Sequence, residues 1–233
     1  KSSEIKKNII LADKQNLVYM IGFNHRYHPA FMIAKEKFNE GEIGKLMFIR
    51  ARYGFGGRLN YQKEWRFNKA ISGGGELLDQ GVHMIDMSRW FMGDVLDVKG
   101  FVSKLFWKDG VEDNSFALLR GKNGAVSSIH VSWTNWNWIH TFEIFGDKGY
   151  LIIDGLDRRY RGPERLTIGR RHPKFLEPPK EEVIRFENEQ KESSLSREFE
   201  EFISAIKGKR RAAVGGQDAY EVLKIVEQIY KNG

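Results

Sequence analysis

Asp79 and His83 stand four residues apart in the segment Gly73-Gly-Gly-Glu-Leu-Leu-Asp79-Gln-Gly-Val-His83-Met-Ile-Asp86. On a helix that spacing puts both side chains on one face. A carboxylate beside an imidazole holds its tautomer and raises its basicity, which a general base near neutral pH requires. Three glycines just upstream let a backbone turn and approach a ligand closely. A helix starting there aims unpaired N–H groups and its positive dipole end at that ligand. Glu76 opens the helix and is expected to serve as a cap against the dipole. Plainer readings stay open. The pair could be a hydrogen bond without catalysis, or Asp79, His83 and Asp86 a partial metal set, although no further ligand cluster accompanies them.

Composition narrows the alternatives. The chain has 233 residues and no cysteine, so disulfide scaffolds, zinc–thiolate sites and cysteine nucleophiles are excluded. Hydrophobic residues make up 41% and charged residues 30%, a globular composition. No apolar run nears the ~18 residues of a membrane span. The opening KSSEIKKNIILADKQ interleaves apolar and charged positions, unlike a signal peptide, so a cytoplasmic location is expected. The net charge of +7 favours anionic ligands, but no nucleic-acid signature accompanies it. Lys45, Arg50, Arg52, Arg58, Lys63, Arg66 and Lys69 face Glu64 alone in their stretch. That stretch runs into the Asp79–His83 segment, and it predicts an anionic substrate. A second basic stretch, Arg158 to Arg185, reads as solvated surface, and the segment after Glu187 is acidic.

The elements that must position these residues follow from pattern. Ser2 and Ser3 predict a capped helix running to Lys14. The apolar run 17–21 predicts a buried, parallel strand. Pro29 suits the first turn of a helix to Asn39, closed by Gly41 and Gly44. Residues 45–53 read as a strand, and 54–75 as a long Gly-rich aromatic loop of the kind that carries function. A helix over 76–91 ends at Gly93. Strands follow over 95–107, 114–120, 125–134, 140–145, 150–154, 164–168 and 183–186, with hairpin turns at 122–124 and 147–149. Helices over 196–207 and 217–231 close the chain, the first burying Phe199, Phe202, Ile203 and Ile206. The fold class is α+β: a large, mainly antiparallel sheet with helices on one face, preceded by a remnant helix and strand. His25 and His28 read as exposed bystanders, and His130 and His140 as sheet residues with local partners. Trp133, Trp136 and Trp138 read as packing or subunit contacts.

Three segments in register carry a resemblance: Gly22-Phe-Asn24-His-Arg26-Tyr-His-Pro29, Glu64-Trp65-Arg66, and Gly73 to Trp90. They resemble the Gfo/Idh/MocA oxidoreductase family, and segments 142–151 and 199–230 extend the likeness over essentially the whole chain. The resemblance implies a dehydrogenase using NAD or NADP on a sugar or related polyol, with a Rossmann domain ahead of a C-terminal α/β domain. It implies that His83 accepts the substrate's hydroxyl proton while hydride passes to the nicotinamide, and that Asp79 supports substrate and base. By the same likeness Trp65 and Arg66 lie near the cofactor, and Asn24 and Arg26 border the substrate cleft. The sequence holds no Gly-x-Gly-x-x-Gly and lacks the family's Glu-Lys-Pro. Residues 1–22 are thus expected to be a remnant of a dinucleotide-binding domain. Residues 23–233 would be the substrate-binding, catalytic and oligomerisation domain, forming a homo-oligomer through its sheet. The competing expectation is a non-catalytic sugar-binding or assembly module. Neither reading involves nucleic acid or a membrane.

Overall fold

The computed structural model describes residues 1–108, 110–156, 160–186 and 193–232. Among them eight strands form one sheet: β1 (Leu46–Gly54), β2 (Val95–Ser103), β3 (Asn114–Gly121), β4 (Val126–Ser132), β5 (Ile139–Gly146), β6 (Gly149–Leu156), β7 (Tyr160–Arg170) and β8 (Lys180–Phe186). Their order is β2-β3-β4-β1-β5-β6-β7-β8. β1 runs parallel to β4, and every other pairing is antiparallel. Alternation fixes the register. Ile49, Ala51 and Tyr53 face the core while Phe48, Arg50 and Arg52 face out. A one-residue slip would drive Arg50 and Arg52 into the core.

The helices are α1 (Ser2–Lys14), α2 (Pro29–Asn39), α3 (Lys69–Ser72), α4 (Val82–Met92), α5 (Ser194–Lys207) and α6 (Gly216–Asn232). α2, α4 and α6 cover the inner face of the sheet, contributing Phe31, Ile85, Met87, Val222 and Ile229 to its core. Each such side chain, fully buried, contributes about 1.5–3 kcal/mol. Pro29 occupies the first turn of α2, and Gly93, at φ 79°, stops α4. The loop 54–75 is ordered by short 3₁₀ turns at Tyr61–Lys63 and Trp65–Phe67. Tyr61 and Phe67 anchor it against the buried Trp133. Trp138 packs on Phe55 and Tyr160, whereas Trp136 is exposed beside Phe106.

Three expectations are corrected. Residues 17–21 form no strand: Leu17 is 61% exposed, and pairing is limited to a bridge between Met20 and Gly215. A strand needs a neighbour for its N–H and C=O groups, and β2 and β8, the edges of the sheet, are elsewhere. Ser2 is not a cap; it lies inside α1, and its N–H and hydroxyl both donate to Glu227 of α6 at 2.7 Å. Finally, Phe199 and Ile206 of α5 are exposed and Phe202 and Ile203 only half-buried, because α5 rests on the turn at Asn24–Tyr27 and not on the sheet. In the second basic stretch Arg158 and Arg159 lie outside the described residues, as does the acidic run 187–192. Arg165 pairs with Asp154, and Arg170 with Glu42. Among the described residues no helix is long and apolar enough to cross a membrane.

Candidate active site

The three glycines serve the fold before any ligand. Gly73 takes φ 81°, and a Cβ on Gly75 would lie 1.9 Å from the carbonyl oxygen of Glu112. The N–H groups expected to meet a ligand are used internally: Gly75 donates to Glu112 Oε1 at 2.9 Å and Glu76 to the Glu112 carbonyl at 3.1 Å. Glu112 is held in turn by the Tyr230 hydroxyl. This clamp delivers the chain into a π-helical turn, Leu77–Gly81, before α4 begins.

That turn changes what Asp79 faces. An i→i+5 turn holds one more residue than an α-turn. Asp79 pairs with Arg66 Nε at 3.5 Å, and no hydrogen bond or ion pair joins it to His83 among the described residues. The expected Asp79–His83 pair is corrected accordingly. Burial raises the Asp79 carboxyl, while Arg66 and the nearby Trp133 indole pull it down. Glu76 caps nothing: it is fully buried with both oxygens unpartnered. Burial, then the charge of Asp79, hold its carboxyl well above the ordinary range.

His83 is half-buried, and burial together with His28 lowers it to about 4, so the ring is neutral at pH 7 and free to accept a proton. It lies flat on His25, ring centres 4.3 Å apart and planes at 14°. His25 and His28 are therefore buried members of the site, not exposed bystanders. The sequence signal was there, two histidines flanking Arg26, but nothing local says that the turn folds inward. His140 does find a local partner, the Gly155 carbonyl at 3.1 Å, and its ring also meets His25. His130 stacks on Phe116 at 4.2 Å on the outer face, on the opposite side of the sheet from this cluster.

The remaining candidates divide. Trp65 is 53% exposed, with the Arg66 guanidinium 4.7 Å over its ring. An exposed indole carrying a cation suits the flat ring and phosphates of a dinucleotide, so these residues fit the cofactor contact implied by the resemblance. Asn24 donates to the Ser194 hydroxyl at 3.1 Å. Arg26 is buried and holds Asp86 through Nε at 2.8 Å and Nη2 at 2.5 Å, with Asp218 at 2.8 Å. Asp86 is thereby engaged away from Asp79 and His83, and no three metal-ligating side chains converge among the described residues. Three of the seven basic residues of the first basic stretch are matched: Arg50 pairs with Glu143, Arg58 with Glu64, and Arg66 with Glu64 and Asp79. Tyr61 Oη, Gln80 Oε1, His83 Nδ1 and both Glu76 oxygens have no hydrogen-bond partner among the described residues. Buried polar atoms normally find partners, so these are exceptions.

The neutral imidazole of His83 and the arginine-held carboxylate of Asp79 lie on the helix-covered face of an α+β sheet. Residues 31–152 match the GFO/IDH/MocA C-terminal domain, and the chain belongs to that family. It is 30% identical over 168 residues to levoglucosan dehydrogenase of Pseudarthrobacter phenanthrenivorans, covering 60% of this chain and 43% of that one. It is 27% identical over 224 residues to myo-inositol 2-dehydrogenase of Thermotoga maritima, covering 93% and 62%. A solved levoglucosan dehydrogenase in complex with NADH superposes with a TM-score of 0.84 at 25% identity, covering 100% of this chain and 69% of that one. The chain thus spans between two fifths and two thirds of the length of these curated relatives.

Proposed function

We propose that this chain is the substrate-binding and catalytic portion of an NAD- or NADP-dependent dehydrogenase acting on a sugar or sugar derivative. The observation that carries the reading is the neutral, half-buried His83 ring, which stacks on His25 and lies within the segment the family match covers. His83 accepts the proton of the substrate hydroxyl as the C–H bond breaks. Asp79, kept in place by Arg66, binds substrate hydroxyls. Trp65 and Arg66 face the cofactor, which when bound takes up the hydride. Asn24 borders the cleft, and Arg26 supports it from behind through Asp86. In this reading residues 1–22 belong to a dinucleotide-binding domain and 23–233 form the substrate domain.

The deciding experiment measures sugar-dependent reduction of NAD(P)+ by this chain assembled with a dinucleotide-binding domain. His83→Gln should lower kcat by about 10²–10⁴ with the fold intact. Wild-type turnover in that variant would remove the base assignment, and sugar binding without any turnover would favour a binding module. A preference for carboxylated or phosphorylated sugars would locate the anionic selectivity in Lys63 and Lys69. The open outer sheet face, with Phe101, Phe116 and His130 in one cross-strand row, is proposed to be covered by a second copy of the chain.

A further inference from the structure

A catalytic histidine usually has its second ring nitrogen held by a carboxylate or carbonyl, which fixes tautomer and orientation. His83 lacks that support, since its Nδ1 has no partner among the described residues and Asp79 goes to Arg66. The ring is held by its faces and edges. His25 stacks on it, and the edge of Phe23 meets it with ring centres 6.0 Å apart. His25 is itself fixed on its other sides by Tyr53 at 5.3 Å, His28 at 5.6 Å and His140 at 5.7 Å. Behind this plate the buried His28 Nδ1 pairs with the buried Glu164, whose other oxygen accepts from the Ala30 N–H at 3.2 Å.

We infer that His25 is a positioning residue for His83, a stacking plate that fixes the ring plane in place of a hydrogen-bonded carboxylate, and that the His28–Glu164 pair behind it sets the charge against which His83 takes up a proton. The inference rests on the reading of His83 as the proton acceptor. The groups that meet the cluster are Phe23 from the segment before the turn, Tyr53 from β1 and His140 from β5, with Glu164 of β7 behind His28. Positive charge on His28 opposes a proton on His25, His83 and His140 alike. Removing His28 therefore takes away a repulsion, which favours protonation of His83.

The test is an NMR titration of the histidine ring resonances of the chain, for wild type and for His25→Phe, His25→Ala and His28→Asn, with amide spectra confirming the fold. His25→Phe preserves a flat plate and should leave the His83 midpoint and line width near wild type. His25→Ala should raise the midpoint by about one pH unit, as the ring moves toward water, and broaden or average its signals. His28→Asn should raise it with the stack intact. In the assembled dehydrogenase, His25→Ala should lower kcat about tenfold with KM little changed, and His25→Phe should restore it. An unchanged His83 midpoint and line shape in His25→Ala overturns the inference, as does failure of His25→Phe to rescue. The two readings fail separately. Loss of turnover in His83→Gln with a silent His25→Ala removes the positioning role alone, whereas normal turnover in His83→Gln with a shifted titration in His25→Ala removes the base role alone.

Discussion

Arg66 Nε lies 3.5 Å from Asp79 Oδ2, tying the aromatic loop 54–75 to the π turn that precedes α4. Both partners are about one-third exposed, and burial and Arg66 act on Asp79 in opposite directions. Removing the guanidinium leaves burial opposed only by Trp133 and Arg58, so the Asp79 carboxyl moves further up and ionises only at higher pH. Arg66→Ala should shift the acid limb of the kcat/KM profile of the assembled enzyme upward by about one pH unit, with Arg66→Lys in between. An unmoved acid limb would disconnect the pair from the reaction.

Arg26 and Asp86 form a buried pair whose value depends on both partners being present. Burial pushes the Asp86 carboxyl up to about 6 even against the pull of Arg26. Asp86→Asn leaves a buried guanidinium with Asp218 as its remaining carboxylate and should cost about 3–5 kcal/mol in urea unfolding. The double variant Arg26→Met/Asp86→Leu should recover most of that loss, because apolar replacement of a whole buried pair is near neutral. Additive losses in the double variant would show that the two residues act separately.

Glu76 predicts a pH-dependent gain. Its folded pKa is raised above the ordinary 4.5 by burial, so the stability it contributes is full below 4.5 and is lost as pH rises toward the folded value. Glu76→Gln keeps the volume and cannot ionise. Thermal melts should show the variant matching wild type at pH 4.5 and exceeding it at pH 8, with about 2–4 °C in Tm for each kcal/mol gained. Equal Tm differences at both pH values would contradict this.

The outer sheet face is read by mass. Phe116 is 40% exposed and stacks on His130 with Phe101 opposite. If a second copy covers this face, Phe116→Glu should convert a dimeric or larger species to monomer in light scattering while leaving the melting curve of the monomer unchanged. A monomeric wild type would dispose of the idea.

Much of the fold was legible because strands and hairpins advertise themselves locally. The alternation Ile49, Ala51, Tyr53 against Phe48, Arg50, Arg52 states a face and a register. Pro29, Gly93 and the turns at 122–124 and 147–149 place the element boundaries. What misled was periodicity without a partner. The run 17–21 has strand composition but no strand beside it, and the apolar stripe of α5 has no sheet beneath it. Neighbours decide such cases, and a sequence pattern carries no neighbour.

The site divides along the same line. The sequence by itself determined which residues are present to do chemistry: His83, Asp79, Arg66 and Trp65, on a glycine-led segment in a family's order. It could not determine which of them face one another. The Glu112 clamp and the π turn it feeds send Asp79 to Arg66. The inward fold of residues 23–28 puts His25 under His83 and takes Arg26 out of solvent to meet Asp86. Those contacts join segments about sixty residues apart, and their geometry is set by packing and buried hydrogen bonds that exist only once the sheet and helices have closed around them.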